Sequence, residues 1–125
     1  MPLRITARRA DLTTLDVPLL AVGLRKGATI AGPLAALDQS LGGTLERTLS
    51  RKDFRGARDE TLHLAGGAQG PQRVLLVGLG DASDIGGAVR RAASTAARQA
   101  RKMGVTSLAW YQAEQSAQSA EAAAV

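Results

Sequence analysis

One stretch, residues 73–105, restricts the possible folds more than any other part of this sequence. It opens with Arg-Val-Leu-Leu-Val-Gly-Leu-Gly-Asp and continues into a run rich in alanine and arginine. The unbroken apolar segment 74–77 predicts a strand buried on both faces. Gly78 and Gly80 predict a sharp turn at its end, where a side chain would obstruct the backbone. A helix is expected from Ile85 to Met103, with Asp84 as its N-cap and Gly104 as its terminator. With a further strand over 107–111, the segment reads as a βαβ unit and the chain as α/β.

Strand, glycine turn and helix in that order frame a dinucleotide site, but the residues do not complete it. The fingerprint requires G-x-G-x-x-G at the mouth of the helix. Here Gly78 and Gly80 are followed by Ser83 at the third glycine position. A pyrophosphate would meet Asp81 and Asp84 rather than bare amides. No G-x-x-x-x-G-K-[ST] phosphate loop occurs in the sequence. The two glycines are therefore read as closing a tight turn for geometric reasons.

A length of 125 residues suits one domain. Hydrophobic residues make up 45%, yet they include only one Phe, one Tyr and one Trp, so the core must be built from Leu, Val and Ala. Cysteine is absent, which excludes disulfides, thiolate metal sites and thiol nucleophiles. A single histidine, His63, leaves no histidine metal cluster and argues against a Ser-His-Asp triad. No apolar run approaches the roughly 20 residues of a membrane span, and residues 1–6 lack the apolar region of a secretory signal. A cytoplasmic protein with no membrane partner is expected. The net charge of +5 comes mostly from 13 arginines against 3 lysines. Such a balance is compatible with nucleic acid or an acidic surface, or with an acidic domain elsewhere.

Along the chain, residues 3–8 alternate as a half-exposed strand. Residues 17–24 form an apolar run with Pro18 near its start, where proline is tolerated in a strand. Residues 25–32 read as a loop. Leucines at 34, 37, 41, 45 and 49 trace one helical face, and Gly42-Gly43 breaks it into two short helices or one kinked helix. Residues 51–59 are a charged connector with Phe54 as its buried candidate. Residues 60–64 alternate as a strand, Thr61 and His63 on one face, Leu62 and Leu64 on the other. Residues 65–72 form a loop. Residues 114–125 have helix propensity without a strong apolar face and read as the start of a helical linker.

At about 100° per residue, Ile85, Val89, Ala92, Ala93, Ala96, Ala100 and Met103 share one side of the long helix. Arg90, Arg91, Arg98, Arg101 and Lys102 share the other, with no acidic residue between them. This face is either an ordinary solvated surface or a ridge for nucleic-acid phosphates. Arg101 and Lys102 also suit the negative end of the helix dipole. Arg47, Arg51, Lys52, Arg55 and Arg58 form a further basic region. His63 reads as a surface or interface residue. Asp81 and Asp84 lack the additional ligands a metal site needs, and Ser40, Ser50 and Ser94 lack an activating motif. No catalytic constellation is present, and no cofactor is expected in this chain.

Several segments occur together in a familiar order: residues 19–24, Leu-Leu-Ala-Val-Gly-Leu; 37–45, Leu-Asp-Gln-Ser-Leu-Gly-Gly-Thr-Leu; 53–56, Asp-Phe-Arg-Gly; 60–62, Glu-Thr-Leu; 73–80; and 88–92, Ala-Val-Arg-Arg-Ala. Together they resemble the N-terminal domain of the cytosolic leucyl aminopeptidases, the peptidase family M17. The resemblance implies a macro-domain-like three-layer α/β fold, with a mixed, mostly parallel sheet flanked by helices, over residues 1–112. Residues 113–125 would begin the helical linker to a catalytic domain absent from this sequence. It implies that the chain is a non-catalytic accessory domain contributing to assembly. The parent would be an exopeptidase releasing N-terminal amino acids with two divalent metals, Mn or Zn, bound in its catalytic domain. That domain's Asn-Thr-Asp signature cannot be present, because the chain has no asparagine. Implied partners are the catalytic domain and the other subunits of a homo-hexamer. Two alternatives stay open: a DNA-binding module using the basic helix face, or a macro-like nucleotide-binding domain.

Overall fold

A computed structural model describes residues 4–7, 11–81 and 83–112. Its elements run β1 (Arg4–Ala7), β2 (Leu20–Arg25), α1 (Pro33–Ser40), α2 (Thr44–Ser50), β3 (Thr61–Ala65), β4 (Arg73–Gly80), α3 (Ile85–Met103) and β5 (Ser107–Gln112). The five strands form one sheet in the order β1-β5-β2-β4-β3. All neighbours are parallel except β3, which runs antiparallel to β4 with Leu62 opposite Leu76. The expected mixed, mostly parallel sheet between helical layers is what forms. The expected linker over 113–125 lies outside the described residues.

Between their end residues the central strands β2, β4 and β5 are apolar because helices cover both of their faces. On one face Ala21, Leu75, Val77, Leu79, Leu108 and Trp110 pack against Ala88, Val89, Ala92, Ala96 and Ala100 of α3. Helix and sheet divide the bulk unevenly. The alanines let α3 lie close, and Trp110, fully buried, supplies the volume. Gly23 on the neighbouring strand makes room for that ring, since a β-carbon there would lie 2.7 Å from Trp110 Cζ2. On the other face Leu20, Val22, Leu24, Val74, Leu76 and Tyr111 pack against Leu34, Leu37, Leu45 and Phe54.

Breaks in the helical pattern fall where expected. The leucine stripe divides at Gly42 and Gly43, both left-handed at φ 71° and 79°. Gly43 has no side chain to cap α2, so Asp38 does it from α1. Its Oδ1 accepts the Leu45 amide at 2.7 Å and its Oδ2 the Glu46 amide at 3.3 Å. Asp84 caps α3 by accepting the Gly87 amide. Helix α3 then ends at Gly104, φ 77°, with paired bonds from Gly104 to the Arg101 carbonyl and from Val105 to the Ala100 carbonyl. Helix α2 ends on the same two bonds, Lys52 to Leu49 and Asp53 to Thr48. In α2, however, a lysine at φ 59° takes the place that glycine takes in α3.

Candidate functional site

Gly78 does not close a turn, contrary to expectation: β4 runs on through it to Gly80, where the strand ends and the backbone turns left-handed at φ 73°. The physical reason is non-local. Residues 56–60, leading into β3, cross the C-terminal end of β4 and bond to it. The Gly78 amide donates to Glu60 O at 2.7 Å, Asp59 N to Gly78 O at 3.2 Å, and the Gly80 amide to Gly56 O at 2.8 Å. A β-carbon on Gly78 would collide with the Ala57 carbonyl, and one on Gly56 with the backbone of Arg25 and Lys26. The Glu60 carboxylate holds this connector by accepting the amides of Arg55 and Ala57 at 3.0 and 3.1 Å.

This crossing decides what the sheet can offer a ligand. Open α/β sheets bind ligands at the C-terminal ends of strands whose connections leave on opposite faces. Strands β2 and β4 are such a pair, β2 leading to α1 and β4 to α3. Residues 56–60 lie across their ends. What stays open is a cleft of about 350 Å³ beside the connector, lined by Arg25, Lys26, Gly27, Ala28, Leu49, Lys52, Phe54 and Arg55.

The cleft is amphipathic. Phe54, almost wholly buried, and the half-buried Leu49 and Ala28 give it an apolar floor. Arg25 is half-buried, while Lys26, Lys52 and Arg55 are exposed. A hydrogen-bonded turn from Arg25 O to Ala28 N, with Gly27 at φ 73°, brings β2 out along one wall. The end of α2 forms the other. Lys26 Nζ lies 3.3 Å from Asp81 Oδ2, an exposed pair.

Lys52 and Arg55 belong to the basic region anticipated over 47–58, which the structure divides. Arg47 turns back on its own helix, its Nη1 donating to Gly42 O at 2.7 Å. Arg58 lies beside Asp59 at 3.8 Å. Arg25 and Lys26 went unnoticed in the sequence, where the only signal is two adjacent cations directly after a buried strand.

Helix α3 buries Val89, Ala92, Ala93, Ala96 and Ala100 as the angles require. Arg90, Arg98, Arg101 and Lys102 are exposed. Arg91 is half-buried, and its Nε lies 3.6 Å from Asp59 Oδ1, so an acid from the connector does meet this face. Arg98 donates to Ser94 and Thr95 of its own helix. His63 is exposed on β3, its Nε2 3.4 Å from Gln99 Oε1. Asp81 is engaged by Lys26 and Asp84 by the helix amide, and among the described residues no group of three or more His, Cys, Asp or Glu is placed to hold a metal. No described helix is long and apolar enough to cross a membrane.

Comparison with known proteins adds one family match, two relatives and two solved structures. Residues 21–125 match the N-terminal domain of the cytosol aminopeptidase family. The chain is 36% identical over 107 residues to a probable cytosol aminopeptidase of Ralstonia pickettii, covering 83% of this chain and 21% of that protein. A probable cytosol aminopeptidase of Microcystis aeruginosa is 35% identical over 107 residues, covering 84% of this chain and 22% of the relative. The chain thus spans about a fifth of the length of these curated relatives. Among solved structures, a tomato leucine aminopeptidase mutant superposes at TM-score 0.75 with 25% identity, over 98% of this chain and 27% of that one. The macrodomain of Mycobacterium tuberculosis DarG superposes at 0.60 with 15% identity, over 86% of this chain and 75% of that one, a likeness of fold alone.

Proposed function

The chain belongs to the cytosol aminopeptidase family, and from that membership we propose that it serves as the non-catalytic N-terminal domain of a leucyl aminopeptidase. The observation that carries this reading is the match to that domain over residues 21–125. In it, peptide hydrolysis belongs to a separate catalytic domain holding two divalent ions, Mn or Zn. Such ions polarise the scissile carbonyl and activate water. The carboxylates described above are committed to caps and ion pairs, so the ligands for those ions come from that other domain. This chain's role is assembly, packing against its catalytic domain and neighbouring subunits of a cytoplasmic homo-hexamer.

A domain exchange tests the role. Replacing the corresponding segment of the Ralstonia pickettii relative with this chain is expected to preserve that protein's oligomeric state, whereas deleting the segment should disrupt it. If deletion leaves the assembly unchanged, the role in assembly fails.

A second reading rests on the outer face of α3, where Arg90, Arg98, Arg101 and Lys102 stand exposed together. Such a ridge suits the phosphate backbone of duplex DNA, with binding that falls steeply with salt and is nearly blind to sequence. A mobility shift at low salt should be lost when Arg90, Arg98 and Arg101 are changed to alanine. An unchanged shift removes α3 from any such role.

A further inference from the structure

We infer that the outer edge of β3 pairs with the same edge of a second copy of this chain, antiparallel about a two-fold axis at His63. Strand β3 ends the sheet order, with β4 on its inner side. The bonds that bracket the β3–β4 ladder set its phase. Gly66 N donates to Gln72 O at 2.9 Å at one end, and Gly78 N to Glu60 O at 2.7 Å at the other. Hydrogen-bonded pairs recur at every second residue of an antiparallel ladder. Leu62 and Leu64, opposite Leu76 and Val74, therefore turn their backbone groups towards β4. Thr61, His63 and Ala65 turn theirs outward, and no described residue bonds to them there.

Sheets protect such an edge with charged residues, proline, a bulge or a covering segment. Residues 61–65, Thr-Leu-His-Leu-Ala, contain no charged residue of the Lys, Arg, Asp or Glu type and no proline. Their register with β4 is unbroken. Glu60 does not guard the edge either, because its carboxylate is turned back onto the amides of Arg55 and Ala57. His63 and Ala65 are exposed, and Leu62 and Leu64 are only half-buried.

What selects a second copy is self-complementarity. Across a new ladder, outward residues must meet outward residues, and side chains that meet must share a face. With His63 opposite His63 of the second copy, Thr61 meets Ala65, and every outward N–H and C=O of β3 has a partner. The same register sets Leu62 against Leu64 in the non-hydrogen-bonded positions, where side chains approach most closely. Both leucines pack on the core that holds Val74 and Leu76, so the apolar layer continues from one copy into the next. Beyond the strand, Glu60 meets Gly66, which has no side chain to obstruct it. Sliding the register by two residues leaves outward groups unmet and sets one leucine of each copy against Glu60 or Gly66. Since β4 already fills the inner side of β3, pairing closes at two copies. The pairing is a property of the chain by itself and does not rest on the aminopeptidase reading.

The test combines sedimentation with cross-linking. Sedimentation velocity of the 125-residue chain should show a dimer whose share grows with concentration. His63→Pro removes the central N–H of both copies but none of the bonds to β4. It should raise the dissociation constant about tenfold or more, with Trp110 emission unchanged as the check on folding. His63→Lys keeps the backbone intact and opposes two charges at the axis, and it should weaken the dimer as well. The chain has no cysteine, so one introduced thiol reports the register. His63→Cys should give a disulfide-linked dimer on mild oxidation, because opposed hydrogen-bonded residues lie about 5.5 Å apart at Cα, within disulfide reach. Ala65→Cys should not, since Ala65 lies opposite Thr61 of the second copy. A chain that stays monomeric at every concentration overturns the inference. So does a dimer that survives both the proline and the lysine change, or oxidation that links Ala65→Cys as readily as His63→Cys.

Discussion

Ala57 presents its backbone carbonyl where a β-carbon on Gly78 would lie. The two residues are 21 positions apart and belong to different elements, yet their contact fixes the shape of the strand-end region. It lets the connector cross β4, hydrogen-bond to it on both sides of the crossing, and close the crevice between β2 and β4. The glycines that look like a phosphate cradle in the sequence are there for another piece of backbone.

Gly78→Ala should therefore destabilise the fold, since a backbone carbonyl cannot move aside as a flexible side chain can. The expected cost is about 1–3 kcal/mol, typical of overpacking. Urea unfolding followed by the fluorescence of the single, buried Trp110 measures it. An unchanged midpoint would mean the connector does not hold this position in solution.

Gly23→Ala tests the opposite face. Its β-carbon would approach Trp110 Cζ2 at 2.7 Å and Leu79 Cδ1 at 3.5 Å. The ring is fully buried beneath α3 and has little room to yield, so a loss of about 1–3 kcal/mol is expected. It should come with a changed Trp110 emission, which the Gly78 variant should lack.

Asp38 is buried and its carboxylate accepts two amides of the first turn of α2, those of Leu45 and Glu46. Asp38→Ala should cost about 1–3 kcal/mol, because it leaves the buried Leu45 amide unmet. Asp38→Asn keeps one acceptor oxygen and should cost less. Denaturation midpoints of the two variants, compared with the parent, check the order.

Burial raises the Tyr111 phenol above its ordinary value of 10.0 by penalising the phenolate. Between that value and the raised one, the unfolded chain loses a proton that the folded chain keeps. Stability from this source is therefore intact below about pH 10 and falls as pH rises through the raised value. Tyr111 is the only tyrosine, so phenolate absorbance reports it directly and should titrate above pH 10. Tyr111→Phe should flatten the alkaline decline in stability.

Much of the frame was legible in the sequence because its causes are local. The apolar runs of β2 and β4, the alanine face of α3, the Gly42-Gly43 break and the Gly104 stop each depend on residues within a turn or two of one another. Phe54 was legible as the one large apolar residue in a charged connector. The details that decide the site were not, because their causes lie far along the chain. Nothing near Gly78 announces Ala57, and nothing on α3 announces that Asp59 pairs with Arg91. Likewise the cleft exists only because the sheet brings the turn after β2 beside residues 49–55. Even Pro18 acted slightly differently from expectation: β2 begins at Leu20, two residues beyond it.

The most direct measurement on the central claim is hydrolysis of a leucyl amide by the purified chain, with Mn²⁺ or Zn²⁺ in excess. The account predicts no turnover above the uncatalysed rate under either metal. Metal-dependent release of leucine that persists through repeated purification and is lost when the chain unfolds would contradict it.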